Sequence, residues 1–97
     1  MKKLEEFRKI LAKHKKYLEK KYNVKYIGIF GSFVRGENKK TSDVDILVEF
    51  KKPIDLFEFI KLEEELSKLL GRKVDLVSKK ALKPYIGKQI LKEVVEL

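Results

Sequence analysis

Three short runs rich in β-branched and aromatic residues, Val24 to Phe30, Asp43 to Phe50 and Val74 to Val77, are separated by stretches whose apolar residues return every three or four positions. This alternation leaves few folds open. Short extended runs read as strands, and the three-and-four spacing reads as amphipathic helix. Leu4, Phe7, Leu11, His14 and Leu18 place a first helix at roughly residues 3–22, with lysines outside and His14 packed on the apolar stripe. Gly28 within the first strand marks a close backbone approach. Gly31-Ser32 then breaks the pattern. Ser32 can cap a short helix through about Arg35, and Gly36 can end it. Asp55 followed by Glu58 has the spacing of a capping box. The helix it opens carries Leu56, Phe59, Ile60, Leu66, Leu69 and Leu70 on its stripe and stops at Gly71. Pro84 starts a last helix, with Ile86, Ile90, Leu91, Val94 and Leu97 on its apolar side. The order α-β-α-β-α-β-α predicts an α/β (α+β) fold, a small mixed β-sheet with helices packed on it. Its 97 residues make one domain, 1–97, with one modest core.

Several kinds of chemistry drop out at once. Cysteine is absent, which removes disulfides, thiolate metal sites and thiol nucleophiles. A single histidine, His14, leaves no Ser–His–Asp triad unless it is the base. There is no run of about 18 apolar residues and no unbroken apolar stretch behind Met1-Lys2-Lys3, so no membrane partner, no secretory signal and a cytoplasmic location are expected. The net charge of +9 is uneven: residues 1–26 carry ten Lys/Arg against three Glu, whereas residues 27–97 carry fourteen basic against twelve acidic groups. The first helix is therefore a nucleic-acid face, a surface for an acidic partner or a solvated face. Its lysines lack interleaved exposed aromatics that would stack on bases, so direct nucleic-acid binding is not expected.

The chemistry concentrates in Gly31-Ser32-Phe33-Val34-Arg35-Gly36 and Ser42-Asp43-Val44-Asp45. Asp43 and Asp45 are two apart on a predicted strand, so both carboxylates leave the same face. Two such carboxylates repel, and a divalent cation removes that cost. Oxygen-only ligands suit Mg²⁺ or Mn²⁺ and not Zn²⁺. Gly31-Ser32 lies where a strand passes into a helix, a place where outward N–H groups favour an anion and glycine lets a phosphate approach. Ser32 adds a hydroxyl donor, and Arg35 adds positive charge one turn on. Asp75 is the only acid in the third strand and is costly among Val74, Leu76 and Val77 without a partner. A third strand beside the second brings Asp75 to face Asp43 and Asp45, where it can ligate a metal and accept a proton from an attacking hydroxyl. Two rival motifs fail. Gly31-x4-Gly36 has P-loop spacing but is followed by Glu37-Asn38 in place of Lys-Ser/Thr. Asp43-x-Asp45 opens like an EF-hand loop but has Val48 where that loop needs glycine.

The run Gly31-Ser32-x-x-Arg35-Gly36 through Ser42-Asp43-x-Asp45-x-x-Val48 resembles the minimal nucleotidyltransferases (MNT) of the DNA polymerase beta-like superfamily. The resemblance covers nearly the whole chain. It implies that Gly31 and Ser32 hold a nucleoside triphosphate, ATP or another, with Arg35 and Ser42 counted among the nucleotide-binding residues. It implies that Asp43 and Asp45 bind two Mg²⁺ ions, with Mn²⁺ as an alternative, and that Asp75 completes the metal site and activates the acceptor. Asp43, Asp45 and Asp75 are thus the implied catalytic residues. Such proteins are often encoded beside a helical HEPN-domain protein, the two resembling a toxin–antitoxin pair. The resemblance then implies an antitoxin that transfers AMP from ATP to a tyrosine of the HEPN toxin. A transferase for a small molecule or RNA, and an antitoxin that neutralises its partner by contact alone, are the alternatives. Homo- and hetero-oligomers both remain open.

Overall fold

The computed structural model describes residues 3–37, 39, 42–81 and 84–96. Helix α1 spans Lys3–Tyr22 and strand β1 Val24–Phe30. A single turn, α2, covers Ser32–Arg35, followed by β2 at Val44–Phe50, α3 at Leu56–Leu70 and β3 at Val74–Ser78. A 3-10 turn at Lys79–Ala81 leads to α4 at Pro84–Glu93 and β4 at Val95–Glu96. The strands form one sheet in the order β3-β2-β1-β4. The β2–β3 pair is parallel, and the other two pairs are antiparallel, so the sheet is mixed as expected.

Period-two alternation in β2 and β3 sorts the side chains. Val44, Ile46 and Val48 of β2 and Val74 and Leu76 of β3 enter one core with Ile27 and Ile29 of β1. Phe7, Leu11 and Leu18 of α1 and Leu62, Leu66 and Leu70 of α3 close that core from the helical side. His14 lies half-buried on α1 and donates from Nδ1 to the Ile10 carbonyl oxygen at 2.9 Å, a packed helical histidine. Asp55 caps α3 as its spacing predicts, its Oδ1 accepting from the Glu58 amide at 2.8 Å. Gly71 ends α3 in the left-handed conformation.

Helix α3 also fixes the edge of the sheet. β3 is an edge strand, and an edge strand has amides with no strand neighbour. Ser67 Oγ accepts from the Val74 amide at 3.0 Å, and Glu63 Oε2 accepts from the Leu76 amide at 2.9 Å. These two contacts bracket Asp75 and hold its strand at one height against the helix.

Four sequence expectations need correction. Gly31, not Ser32, is the cap of α2: its carbonyl accepts from the Val34 and Arg35 amides at 3.0 and 3.1 Å, and Ser32 is the first helical residue. β2 begins at Val44, whose amide starts the ladder by donating to the Lys73 carbonyl, so Asp43 stands just before the strand. The last helix stops at Glu93 and does not run through Val94. The β-branched pair Val94-Val95 leaves it for β4, where the free edge of β1 offers backbone partners: Ile29 pairs with Val95 and Gly28 with Glu96. Gly28 permits this, because a Cβ there would lie 2.7 Å from Val94 Cγ2 and 3.1 Å from the Val95 carbonyl oxygen. Three residues expected on apolar stripes are exposed: Leu91 of α4 at 44%, and Leu56 and Ile60 of α3 at 69% and 43%. The Ile86 side chain and Leu97 lie outside the described residues.

Candidate active site

The acids gather where β2 and β3 begin. In the parallel register Val44 faces Val74 and Asp45 faces Asp75. In-register residues of neighbouring strands project to the same face, with backbones about 4.8 Å apart. Since Val44, Ile46, Val74 and Leu76 enter the helical core, Asp45 and Asp75 emerge on the opposite face. Asp75 is exposed, while Asp43 and Asp45 are half-buried. Among the described residues none of the three carboxylates has a hydrogen-bonded or ion-paired partner within contact range.

The Asp45 carboxyl is pushed above the ordinary carboxylate range. Burial is the first cause, followed by the negative charges of Asp75 and Asp43; Arg35 opposes them. That is the signature of acids brought together without enough fixed positive charge. As the side chains lie, no three His, Cys, Asp or Glu residues among those described stand close enough to hold a metal ion. The donor chemistry nonetheless fits a hard divalent cation: three carboxylates, no sulfur, no imidazole, and a charge cluster that a cation relieves. Closing on one ion requires the side chains to turn together from backbones already in register.

Gly31 adjoins the acids directly. Its φ of 87° lies in the region that favours glycine. A Cβ built on it would overlap the Asp45 carboxylate. The bend at the end of β1 and the acid of β2 are thus in van der Waals contact, joining the two halves of the sequence motif. Phe33 anchors the turn that follows, packing edge-on against Phe7 of α1 with ring centroids 5.2 Å apart. Ser32 is half-buried, and its hydroxyl has no hydrogen-bond partner among the described residues. Ser42 serves the loop: its hydroxyl accepts from the Lys39 amide at 2.7 Å, and its carbonyl accepts from Arg72 Nη1 at 2.9 Å.

Two residues near the site escaped the sequence reading. Arg72 lies over the Phe33 ring at 5.3 Å while holding the Ser42 carbonyl, so it ties α2 to the chain entering Asp43. Glu93, at the end of α4, accepts from the Gly31 amide at 2.9 Å and from Arg35 Nη1 at 3.0 and 3.1 Å. Arg35 also donates from Nε to Glu37 at 2.9 Å. The two acids raise the Arg35 guanidinium's pKa further, the Glu37 hydrogen bond being the larger cause. No local pattern announces Glu93 or Arg72, because their partners lie 58 to 62 and 30 residues away in the chain.

A cavity of about 390 Å³ lined by Phe50, Pro53, Ile54, Leu56 and Phe59 lies at the other end of β2 and contains none of these residues. Glu49, Lys52, Asp55, Ser78 and Lys80 complete its lining, so its wall is mixed, and none of the three clustered acids borders it.

The profile of the family described as nucleotidyltransferase domain matches residues 11–97. The chain belongs to the nucleotidyltransferase domain family. It is similar to the protein adenylyltransferase MntA of Thermococcus cleftensis, with 55% identity over 92 residues, covering 95% of this chain and 93% of that protein. A solved structure described as a candidate minimal nucleotidyltransferase is 32% identical with a TM-score of 0.77, covering 94% of this chain and 95% of that one. A Shewanella oneidensis structure, described as a tri-AMPylated HEPN toxin in complex with MNT antitoxin, shares the fold at 22% identity and a TM-score of 0.68, covering 93% of this chain and 70% of that one. This nucleotidyltransferase has no helix, among its described residues, long and apolar enough to cross a membrane.

Proposed function

We propose that this nucleotidyltransferase is a divalent-metal-dependent protein adenylyltransferase acting as an antitoxin, which moves AMP from ATP to a tyrosine hydroxyl of a HEPN-domain toxin. The observation that carries the reading is the in-register pairing of Asp45 with Asp75 beside Gly31. The name of the Thermococcus cleftensis relative supports protein adenylylation, and the description of the Shewanella oneidensis complex supports the HEPN partner.

Asp43, Asp45 and Asp75 would hold Mg²⁺, two ions in the full reading, with Mn²⁺ able to substitute. When bound, the metal neutralises charge developing on the phosphate oxygens. The Gly31 amide and the Arg35 guanidinium supply donors for the triphosphate, with the Ser32 hydroxyl beside them. Ser42 contributes through the loop that it and Arg72 hold, which sets the approach of Asp43. The acceptor hydroxyl attacks the α-phosphorus in line, a new O–P bond forms, and the bond to pyrophosphate breaks. Asp75 receives the hydroxyl proton. Its exposure suits an acceptor carried on another protein, since a side chain of the partner can reach it from solvent.

The test is incubation with α-labelled ATP, Mg²⁺ and a HEPN-domain toxin from the same organism. Label should appear on the partner with the wild type and not with the Asp43→Ala/Asp45→Ala double variant. A partner that stays unlabelled yet is neutralised would overturn the enzymatic reading in favour of an antitoxin acting by contact.

A further inference from the structure

We infer that Glu93 occupies the phosphate seat of the resting protein and that nucleotide binds only as this carboxylate leaves. The inference rests on the nucleotide reading of Gly31 and Arg35 and adds a control to it. Gly31 has one amide hydrogen, and Glu93 Oε2 takes it at 2.9 Å. Arg35 Nη1 serves both oxygens of the same carboxylate at 3.0 and 3.1 Å. A carboxylate and a phosphate present the same kind of oxygen to an amide and a guanidinium. The Gly31 hydrogen cannot be given to both. A phosphate arriving while Glu93 remains would also meet its negative charge, in a corner that already holds Asp45.

The mounting of Glu93 suits departure. It is the last residue of α4, and the chain beyond it is held to the sheet by β4, two residues long. Among the described residues β4 pairs only with Gly28 and Ile29 on the free edge of β1. A segment with so few ladder bonds opens at a small fraction of the cost of global unfolding. The need to open lowers apparent affinity below its intrinsic value, and the affinity that remains is proportional to the fraction of molecules that are open. Gly28 permits the closed arrangement, because a Cβ there would press on Val94 and on the Val95 carbonyl, directly beyond Glu93.

The experiment is calorimetric titration of the full chain with the non-hydrolysable ATP analogue AMP-PNP in Mg²⁺, at one fixed salt concentration. Glu93→Gln keeps the size of the side chain and removes its charge, and it should tighten binding by about tenfold. Gly28→Ala leaves every charge in place and should tighten it in the same direction by a smaller factor. Inorganic triphosphate, which offers the phosphates alone, should compete better against both variants than against the wild type. Equal or weaker binding by Glu93→Gln, with the wild type binding normally, would overturn the displacement of Glu93 and leave the nucleotide site standing. Absence of binding by wild type and variants alike would overturn both.

Discussion

The two faces of the sheet are built from alternate residues of the same strands and have opposite tasks. On the helical face Val44, Ile46, Val48 and Val74 are almost fully buried, and their neighbours from α1 and α3 leave no room for water. On the other face, one residue along from Val44 and Val74, Asp45 and Asp75 face each other, with no counter-ion at contact distance among the described residues. The division is local: Leu47, on the same face as Asp45, is fully buried. Further along that face Glu49 is half-buried and ion-paired with Lys79 at 3.7 Å, whereas the acids at the entrance of β2 and β3 have no such partner among the described residues. The contrast shows how a chain of 97 residues can hold a cluster of like charges. The apolar face holds the strands in register, and that register keeps mutually repelling carboxylates side by side.

The comparison breaks most sharply at Asp45. Asp45→Asn removes a proposed ligand, and AMP transfer should fall by about 10³-fold or more in a labelled-ATP assay. The melting temperature without metal should stay level or rise, because a repelling charge has gone. A large fall in melting temperature would make Asp45 a structural residue and erase the distinction between the faces.

Leu62→Ala should do the reverse. Leu62 is fully buried under the sheet, and losing its side chain should cost about 2–5 kcal/mol in urea unfolding. Transfer per folded molecule should be unchanged. Asp55→Ala removes the α3 cap far from the acids, with an expected cost of about 1 kcal/mol and no effect on transfer.

The smallest effect is in pH. Burial first, then Asp75 and Asp43, raise the Asp45 pKa in the folded state. The folded protein therefore holds that proton more tightly than the unfolded chain. Its stabilising contribution is complete at low pH and is lost as pH rises from the ordinary carboxylate range through the raised value. Glu65 works in the other direction. Burial would raise its pKa, but hydrogen bonds from Tyr17, Tyr22 and Lys21 outweigh burial and lower it. Its contribution is present above the ordinary range and lost as pH falls. Subtracting urea midpoints of Asp45→Asn from wild type across pH cancels Glu65. Without metal, the remaining difference should show wild type losing ground as pH rises; a flat difference would separate Asp45 from the charge cluster.

Much of this architecture was legible because it is periodic. The helical stripe of α1, the bounds of β1 and the Asp55 cap are local patterns, and the core follows from them. The placement of Asp75 beside Asp45 was accessible by a cost argument, since an acid within a short apolar strand calls for a partner. β4 was not legible: two residues carry no period, and their place is set by the free edge of β1. Ser32 suggested a cap by its type, but the φ of Gly31 gave that position to the glycine. Glu93 and Arg72 act through pairings that only the folded chain creates.

The central claim is that Asp43, Asp45 and Asp75 converge on divalent metal beside Gly31. A crystal structure with Mn²⁺ and AMP-PNP, read through manganese anomalous scattering, tests it most directly. The account predicts metal density contacted by all three carboxylates, with a phosphate oxygen accepting from the Gly31 amide where Glu93 now lies. Metal bound elsewhere, or Asp75 left pointing away from metal held by the other two, would contradict it.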